Sequence, residues 1–213
     1  MAEKDKRPLA MYGLKNVKYA KRTADGEPGE AAIPLPKGKS LQLNTAINMT
    51  EVYANDERIL MIPADQGYNG TYGCTGQDLE FEEKIGFLIK LDDGTYADIK
   101  INDMERIELY FERTFKPAEG SAFVMKAWIY GAELGKPSKN SQTNTQNITI
   151  GDYQYPINVY GETILEEADK PYCDDNGNEL VALMIISVPG DDGYKTFGEK
   201  PPKPVKTKPA ENP

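Results

Sequence analysis

Between Leu41 and Thr50 the chain alternates without a break. Leu41, Leu43, Thr45, Ile47 and Met49 fall on one side, and Gln42, Asn44, Ala46, Asn48 and Thr50 on the other. A side-chain period of two is that of a β-strand, and a strand with one apolar side must be laid against another layer. The segment therefore reads as a half-buried strand whose outer face is polar but uncharged. The same period returns at Ile107, Leu109 and Phe111, interleaved with Glu108, Tyr110 and Glu112, and again at Tyr153, Tyr155, Ile157 and Val159, where Pro156 marks an edge or a bulge. Ala122 to Tyr130 is apolar on both sides apart from Lys126. It is expected to be covered twice, by its own core and by a neighbouring subunit. Thr95 to Ile101 follows the hairpin signal Asp92-Asp93-Gly94, and Leu180 to Val188 reads as a final buried strand.

One segment carries a helical period. In Asp78 to Lys90, Phe81, Ile85 and Leu88 share a face, Asp78 or Thr75 can cap the start, and Gly86 weakens the end. Loop chemistry fills Thr23 to Lys39, the polar run Lys136 to Asn147 reads as a long loop or a strand lacking a core face, and Asp174 to Asn178 is a turn. Gly67, Gly70, Gly73 and Gly76 recur every third residue, over too short a span for collagen and without a phosphate-loop pattern, so turns or a bulged strand account for them. The organisation expected is an arm over 1–10, one mostly-β domain over 11–199, and a disordered Pro/Lys-rich tail over 200–213.

Charge narrows the possible partners. The whole chain carries −9, and the tail, with four lysines against Glu211, carries +3, which leaves −12 on the rest. Such a body repels nucleic acid and anionic membrane. The N-terminus lacks the apolar core of a secretory signal, and the longest apolar run, Leu180 to Ile186, is far too short to span a bilayer. The expectation is a soluble protein made inside the cell. Cys74 and Cys173 are expected as two thiols rather than a disulfide.

Catalytic chemistry is poorly provided for. The chain has no histidine, so it lacks the commonest general base and transition-metal ligand. No GxSxG elbow is present, and the acidic pairs at Glu82-Glu83, Asp92-Asp93, Glu166-Glu167 and Asp191-Asp192 read as solvated faces or turns. The run from Asp174 to Glu179 lacks the spacing of a calcium loop. No catalytic, cofactor-binding or metal residues are expected, and the protein is read as a non-enzyme.

One ordered series of short motifs goes further. Tyr12-Gly13-Leu14-Lys15-Asn16-Val17-Lys18-Tyr19-Ala20 is followed by the alternating strand, then by Val52-Tyr53-Ala54-Asn55-Asp56, by Gly67-Tyr68-Asn69-Gly70-Thr71, and by the helical segment. This series resembles the major tail proteins of long non-contractile-tailed phages of Gram-positive hosts, of the phi-thirteen type, over roughly residues 11 to 165. The resemblance implies a mostly-β fold, a β-sandwich or barrel-like tail-tube domain with one packed helix and flexible N- and C-terminal arms. It implies a virion structural protein whose homo-hexameric rings stack into the tube that conducts phage DNA. Its partners would be further copies of itself, the tape measure, distal tail and tail terminator proteins, and DNA passing through the lumen without specific binding. It would reside in the virion tail after synthesis in the host cytoplasm, with no membrane contact. A tube subunit must meet its neighbours, so the large residues of the two-faced strand, Phe123, Met125, Trp128 and Tyr130, are the expected subunit contacts. The alternatives are the tube protein of a contractile injection machine and a carbohydrate-binding β-sandwich module.

Overall fold

The computed structural model describes residues 8–23, 25–35, 38–54, 57–118, 120–138, 153–166 and 169–206. In chain order the elements are β1 (Pro8–Lys21), β2 (Ile33–Pro34), β3 (Gly38–Ala54), β4 (Glu57–Cys74), α1 (Leu79–Lys84), β5 (Leu88–Lys90) and β6 (Tyr96–Asp98). They continue with β7 (Arg106–Pro117), β8 (Phe123–Leu134), β9 (Tyr153–Val159), β10 (Glu162–Thr163), β11 (Val181–Ala182) and β12 (Met184–Ser187). The fold is mostly β with one short helix, as the alternating segments require.

One antiparallel sheet dominates, ordered β2-β1-β7-β8-β9-β4-β3, with β12 added to β8. Two small antiparallel pairs, β5-β6 and β10-β11, stand apart from it. The main sheet curls on itself. Gly38 at the start of β3 comes so near Val17 of β1 that an added Cβ would lie 2.9 Å from its Cγ2. No ladder joins β1 to β3, so the barrel stays open and the two halves of the sheet face each other like a sandwich. Between them lies the core: Tyr19 and Val17 of β1, Leu109 and Phe111 of β7, Ile129 of β8, Tyr155 and Ile157 of β9, and Tyr72 of β4.

The helix plugs one end of this core and is shorter than its periodicity suggests. Asp78 caps it, its Oδ1 accepting from the Phe81 N–H at 3.1 Å. It stops at Lys84 because Gly86, at φ +77°, turns left-handed. The Gly86 and Phe87 N–H groups then return to the Glu83 and Glu82 carbonyls, which closes the last turn. Phe81 and Ile85 are buried as their spacing demands, but Leu88 enters the core from β5 and not from a helix. Glu82 is buried under the sheet, where its carboxylate accepts from the Tyr155 hydroxyl at 2.9 Å and from Gln77 Nε2 at 2.5 Å. Burial and the Glu82 carboxylate together push the Tyr155 hydroxyl well above its ordinary pKa.

Strand β8 is buried on both faces, and both covers come from its own chain. Ala127 and Ile129 face the core, while Trp128 and Tyr130 face outward under a second layer that packs Ala32 and Phe197 on them, with Ile185 of the adjoining β12 alongside. Opposite Glu108 the ladder slips by one residue, because β8 advances three positions from Ile129 to Ala132 while β7 advances two. The extra residue takes a left-handed turn at Gly131, φ +60°. That bulge reverses the parity of β8, so Ala132 and Leu134 face the core after it.

The second layer corrects two expectations. Leu180 to Val188 is not a single buried strand: it is broken at Leu183 into β11 and β12, and Val181 and Ile186 are about half exposed. The segment from Lys200 is not a loose tail as far as Lys206. Pro201 and Pro204 are buried, Val205 bridges Leu165 in parallel, and the Tyr130 hydroxyl donates to the Pro202 carbonyl at 2.5 Å. Three prolines that cannot donate a backbone hydrogen bond are here used for packing and for their carbonyls. At the other end, Pro8 to Ala10 belongs to β1. The remainder of both expected arms, 1–7 and 207–213, lies outside the described residues, as does most of the polar run from 139 to 152. Neither Cys74, which is buried, nor Cys173, which is exposed, is in a disulfide.

Candidate assembly surfaces

The hairpin β3–β4 has strands of 17 and 18 residues, but the body supports only its root. On β4, pairing with β9 begins at Tyr68 and ends at Cys74, so the stretch before Tyr68 pairs with β3 alone. The outer edge of β3 has no strand beside it among the described residues. From the Thr45–Tyr68 rung outward the hairpin is thus a two-stranded arm, about 30 Å long at the usual rise per residue. The transition is marked by a bulge on β4, which advances three residues to two of β3 between Tyr68–Thr45 and Asp65–Ile47. Gly67 occupies it at φ +86°, and a Cβ there would stand 2.0 Å from the Val159 carbonyl oxygen. Only glycine fits.

The bulge leaves the alternation of β3 intact, so the core-facing side of the sheet runs straight out along the arm. Leu41 and Leu43 pack against the core, but Ile47 is 47% and Met49 60% exposed on the same side. Further along β3 Tyr53 is exposed too, as is Met61 of β4, which pairs Glu51; Glu51 accepts from the Tyr53 hydroxyl and from Arg58 Nη1 at 3.0 Å. These hydrogen bonds hold the Glu51 carboxyl below its ordinary pKa, Tyr53 contributing most.

The opposite side of the same sheet differs in chemistry. Across β3, β4 and β9 the outer rows read Gln42–Thr71–Pro156 and Asn44–Asn69–Asn158, followed along the arm by Ala46, Asn48 and Thr50. No charged side chain stands in these rows, in a chain that is 28% charged. The strands approach closely there, since a Cβ at Gly70 would meet the Gln42 carbonyl oxygen at 1.9 Å. Two shallow hollows of about 360 and 450 Å³ lie on this amide face.

The second layer carries its own open surface. A groove of about 640 Å³ runs along β11 and β12 between Val181, Leu183, Ile186, Ile164, Pro204 and Val205. Val181, Ile186 and Val205 are each close to half exposed. Strand β12 pairs β8 on one side only, so its outer edge borders this groove without a strand partner among the described residues.

Buried charge serves the fold. Glu108, fully buried, binds Arg22 Nη2 at 2.7 Å and accepts from the Gly131 N–H at 3.3 Å, and the same Arg22 nitrogen reaches Glu162 at 2.7 Å. The trio ties β1, the β7–β8 bulge and the second layer together. Burial pushes the Glu108 carboxyl above its ordinary pKa, and Arg22 offsets part of the rise. Among the described residues no group of three His, Cys, Asp or Glu side chains is placed to hold a metal, and no helix is long and apolar enough to cross a membrane.

No family model matches the chain, and no curated protein does. Among solved structures, the cryo-EM structure of the anti-feeding prophage cap, a tube terminating cap, is similar over 88% of this chain and 99% of that one, at 12% identity and a TM-score of 0.37.

Of the residues expected to meet neighbouring subunits, the structure commits most to the chain's own interior. Trp128 and Tyr130 are fully buried, with Trp128 Nε1 donating to the Phe197 carbonyl at 2.6 Å. Met125 is buried as well. Phe123, partly exposed, stacks on Phe115 at 4.7 Å. The two-faced pattern was read as a sign of a partner, whereas residues 160–206 are the partner. The surfaces that do stand open, Ile47, Met49 and Met61 on the arm and Val181 and Ile186 at the groove, were legible only as strand residues. Their signal was that Ile47 and Met49 continue the apolar side of β3 beyond any core the chain could wrap around it.

Proposed function

We propose that the protein is a non-enzymatic structural subunit of a phage tail or tail-like particle, which self-assembles into stacked hexameric rings that form a tube. The carrying observation is the β3–β4 arm: a long ladder whose outer edge is unpaired, and whose side bearing Ile47 and Met49 is uncovered, among the described residues. Exposed edges of this kind recruit further strands, and natural monomers blunt them with charge, proline or bulges. Along β3 there is no proline, and Lys39 and Glu51 are the charged residues. Apolar side chains left in water along one side of a strand, here Ile47, Met49 and Met61 around the Glu51–Arg58 pair and the exposed Asp65 opposite Ile47, mark an interaction surface.

The neutral amide face fits the conduction of DNA. With no cations it offers phosphate nothing to bind, and with no carboxylates it does not repel the duplex. The other tail proteins named above would then meet the ends of the stack, and the finished subunit would reside in the virion tail.

Electron microscopy of the concentrated protein, with sedimentation in parallel, tests this reading. Rings or tubes are expected, and a species that stays monomeric at every concentration and salt tried, and is missing from tails of particles made alongside it, overturns it. A second reading has one observation in its favour. Amides at Asn44, Asn69 and Asn158 can both donate to and accept from sugar hydroxyls, as a carbohydrate-binding module requires. Saturable binding of a neutral glycan, lost in Asn69→Ala, would favour that reading.

A further inference from the structure

The arm and the groove along β11 and β12 are two apolar surfaces on one chain; within the subunit they touch at the arm's root, where a Cβ at Gly67 would lie 3.3 Å from Leu183, while Met49 and Ile186 stay more than half exposed. Tyr68 lines the groove and also stands at the root of the arm. From there the paired strands extend away, carrying Met49 about 13 Å beyond the root rung at the rise of an extended strand. A hydrogen-bonded ladder cannot fold back on itself to return those side chains to the groove.

The two surfaces match in kind. The arm presents Ile47, Met49 and Met61 beside the unpaired outer edge of β3. The groove presents Val181, Ile186 and Val205 beside the unpaired outer edge of β12. Each therefore lacks both an apolar cover and a row of backbone hydrogen bonds, and a strand from the other supplies both. We propose that the β3–β4 arm of one copy seats in the β11–β12 groove of the next, with β3 adding to β12. This inference rests on the self-assembly reading and names the surfaces that mate. The two patches differ, so the contact is head-to-tail and repeats from copy to copy. Such an interface needs no second symmetric surface to grow.

Two variants test it in a Cys173→Ser background, Met49→Cys and Ile186→Cys, each adding one exposed position to the buried Cys74. Assembly is first scored by sedimentation and microscopy, then the samples are oxidised. A 1:1 mixture of the variants is expected to give a disulfide-linked dimer in up to about half of the chains, whereas each variant alone, and a mixture of Tyr12→Cys with Ile186→Cys, should give at least tenfold less. Assemblies that form but give no mixed dimer, or that link only Met49→Cys to itself, overturn the proposal and leave the self-assembly reading standing. Monomer under every condition overturns both. Met49→Asp and Ile186→Asp supply a second readout. Each should abolish assembly with little change in the thermal midpoint, and loss with the first but not the second would show that the arm seats elsewhere.

Discussion

The β7–β8 ladder and the β3–β4 arm carry the same kind of sequence and meet opposite fates. Both alternate, and both have large apolar residues in register. On β7–β8 every one of those residues from Ile107 to Phe111 and from Ala127 to Tyr130 is buried, because the core covers one side and residues 160–206 the other. Along the arm the same alternation ends in water. Periodicity reports that a side is made for burial. It does not report who performs the burial, and in this chain the two-faced strand that invites a partner is self-covered while the one-faced strand is not.

The sharpest way to break that comparison is to empty the self-covered side. Trp128→Ala should destabilise the isolated subunit by about 3–5 kcal/mol in denaturant melts, the range for deleting a fully buried aromatic. A loss below about 1 kcal/mol would mean that the second layer is only loosely laid on β8 and that Trp128 could yet serve a neighbour.

Removing the charge that ties the layers comes next. Glu108→Ala leaves Arg22 half-paired in a buried site and should cost about 3 kcal/mol. Glu108→Gln should cost less and alter the pH profile. Because burial raises the Glu108 pKa in the folded state, its contribution is fully present below the unfolded value of about 4.5 and is lost as pH rises through the folded value. Stability measured upward from pH about 4.5 should therefore decline less in Glu108→Gln than in the parent. An identical slope would show that Glu108 is not the group responsible.

At the junction between the two regions, Gly67→Ala puts a Cβ against the Val159 carbonyl in a left-handed conformation. A cost of about 1–3 kcal/mol is expected, read as a lower denaturant midpoint. A neutral result would mean that the bulge can be rebuilt without its glycine.

The smallest expected effect on stability is the most telling. Ile47→Ser and Met49→Ser should change the isolated subunit by no more than about 0.5 kcal/mol, since each residue keeps about half or more of its surface in water in the fold. In assembled material the same changes should be disruptive. If either costs as much as a core substitution in the monomer, the arm is packed against its own body in solution and the contrast with β7–β8 disappears.

These contrasts also mark what could be read from the chain. The strands at Leu41, Ile107, Ala122 and Tyr153 were legible because period two survives any context, and Asp78 was legible as a cap because its chemistry is local. The helix end was overrun because Phe81, Ile85 and Leu88 satisfy helical spacing while Gly86 stops the helix and Leu88 reaches the core from a strand. The packed stretch from Lys200 to Lys206 was hidden by composition. Prolines and lysines look unfoldable in isolation, yet Pro201 and Pro204 are buried, and the Tyr130 hydroxyl holds the Pro202 carbonyl. The candidate contacts at Trp128 and Tyr130 failed for the same reason: a cover more than fifty residues away in sequence leaves no local trace. The groove combines β11, β12 and that same stretch, so it could not be read before the stretch was placed.

The rungs that fix the arm to the body have a mechanical consequence. Strand β4 is held to β9 over seven consecutive pairs, from Tyr68–Val159 to Cys74–Tyr153, and to β3 along its whole length. A pull along the arm's axis loads those rungs side by side, in shear, so they must fail together. A sideways pull at the tip would open them one after another. Forced unfolding follows the rate of barrier crossing and not the equilibrium stability. A subunit tugged end-on by its arm would therefore resist far longer than its melting curve suggests, and would stretch elsewhere before the root of the hairpin gave way.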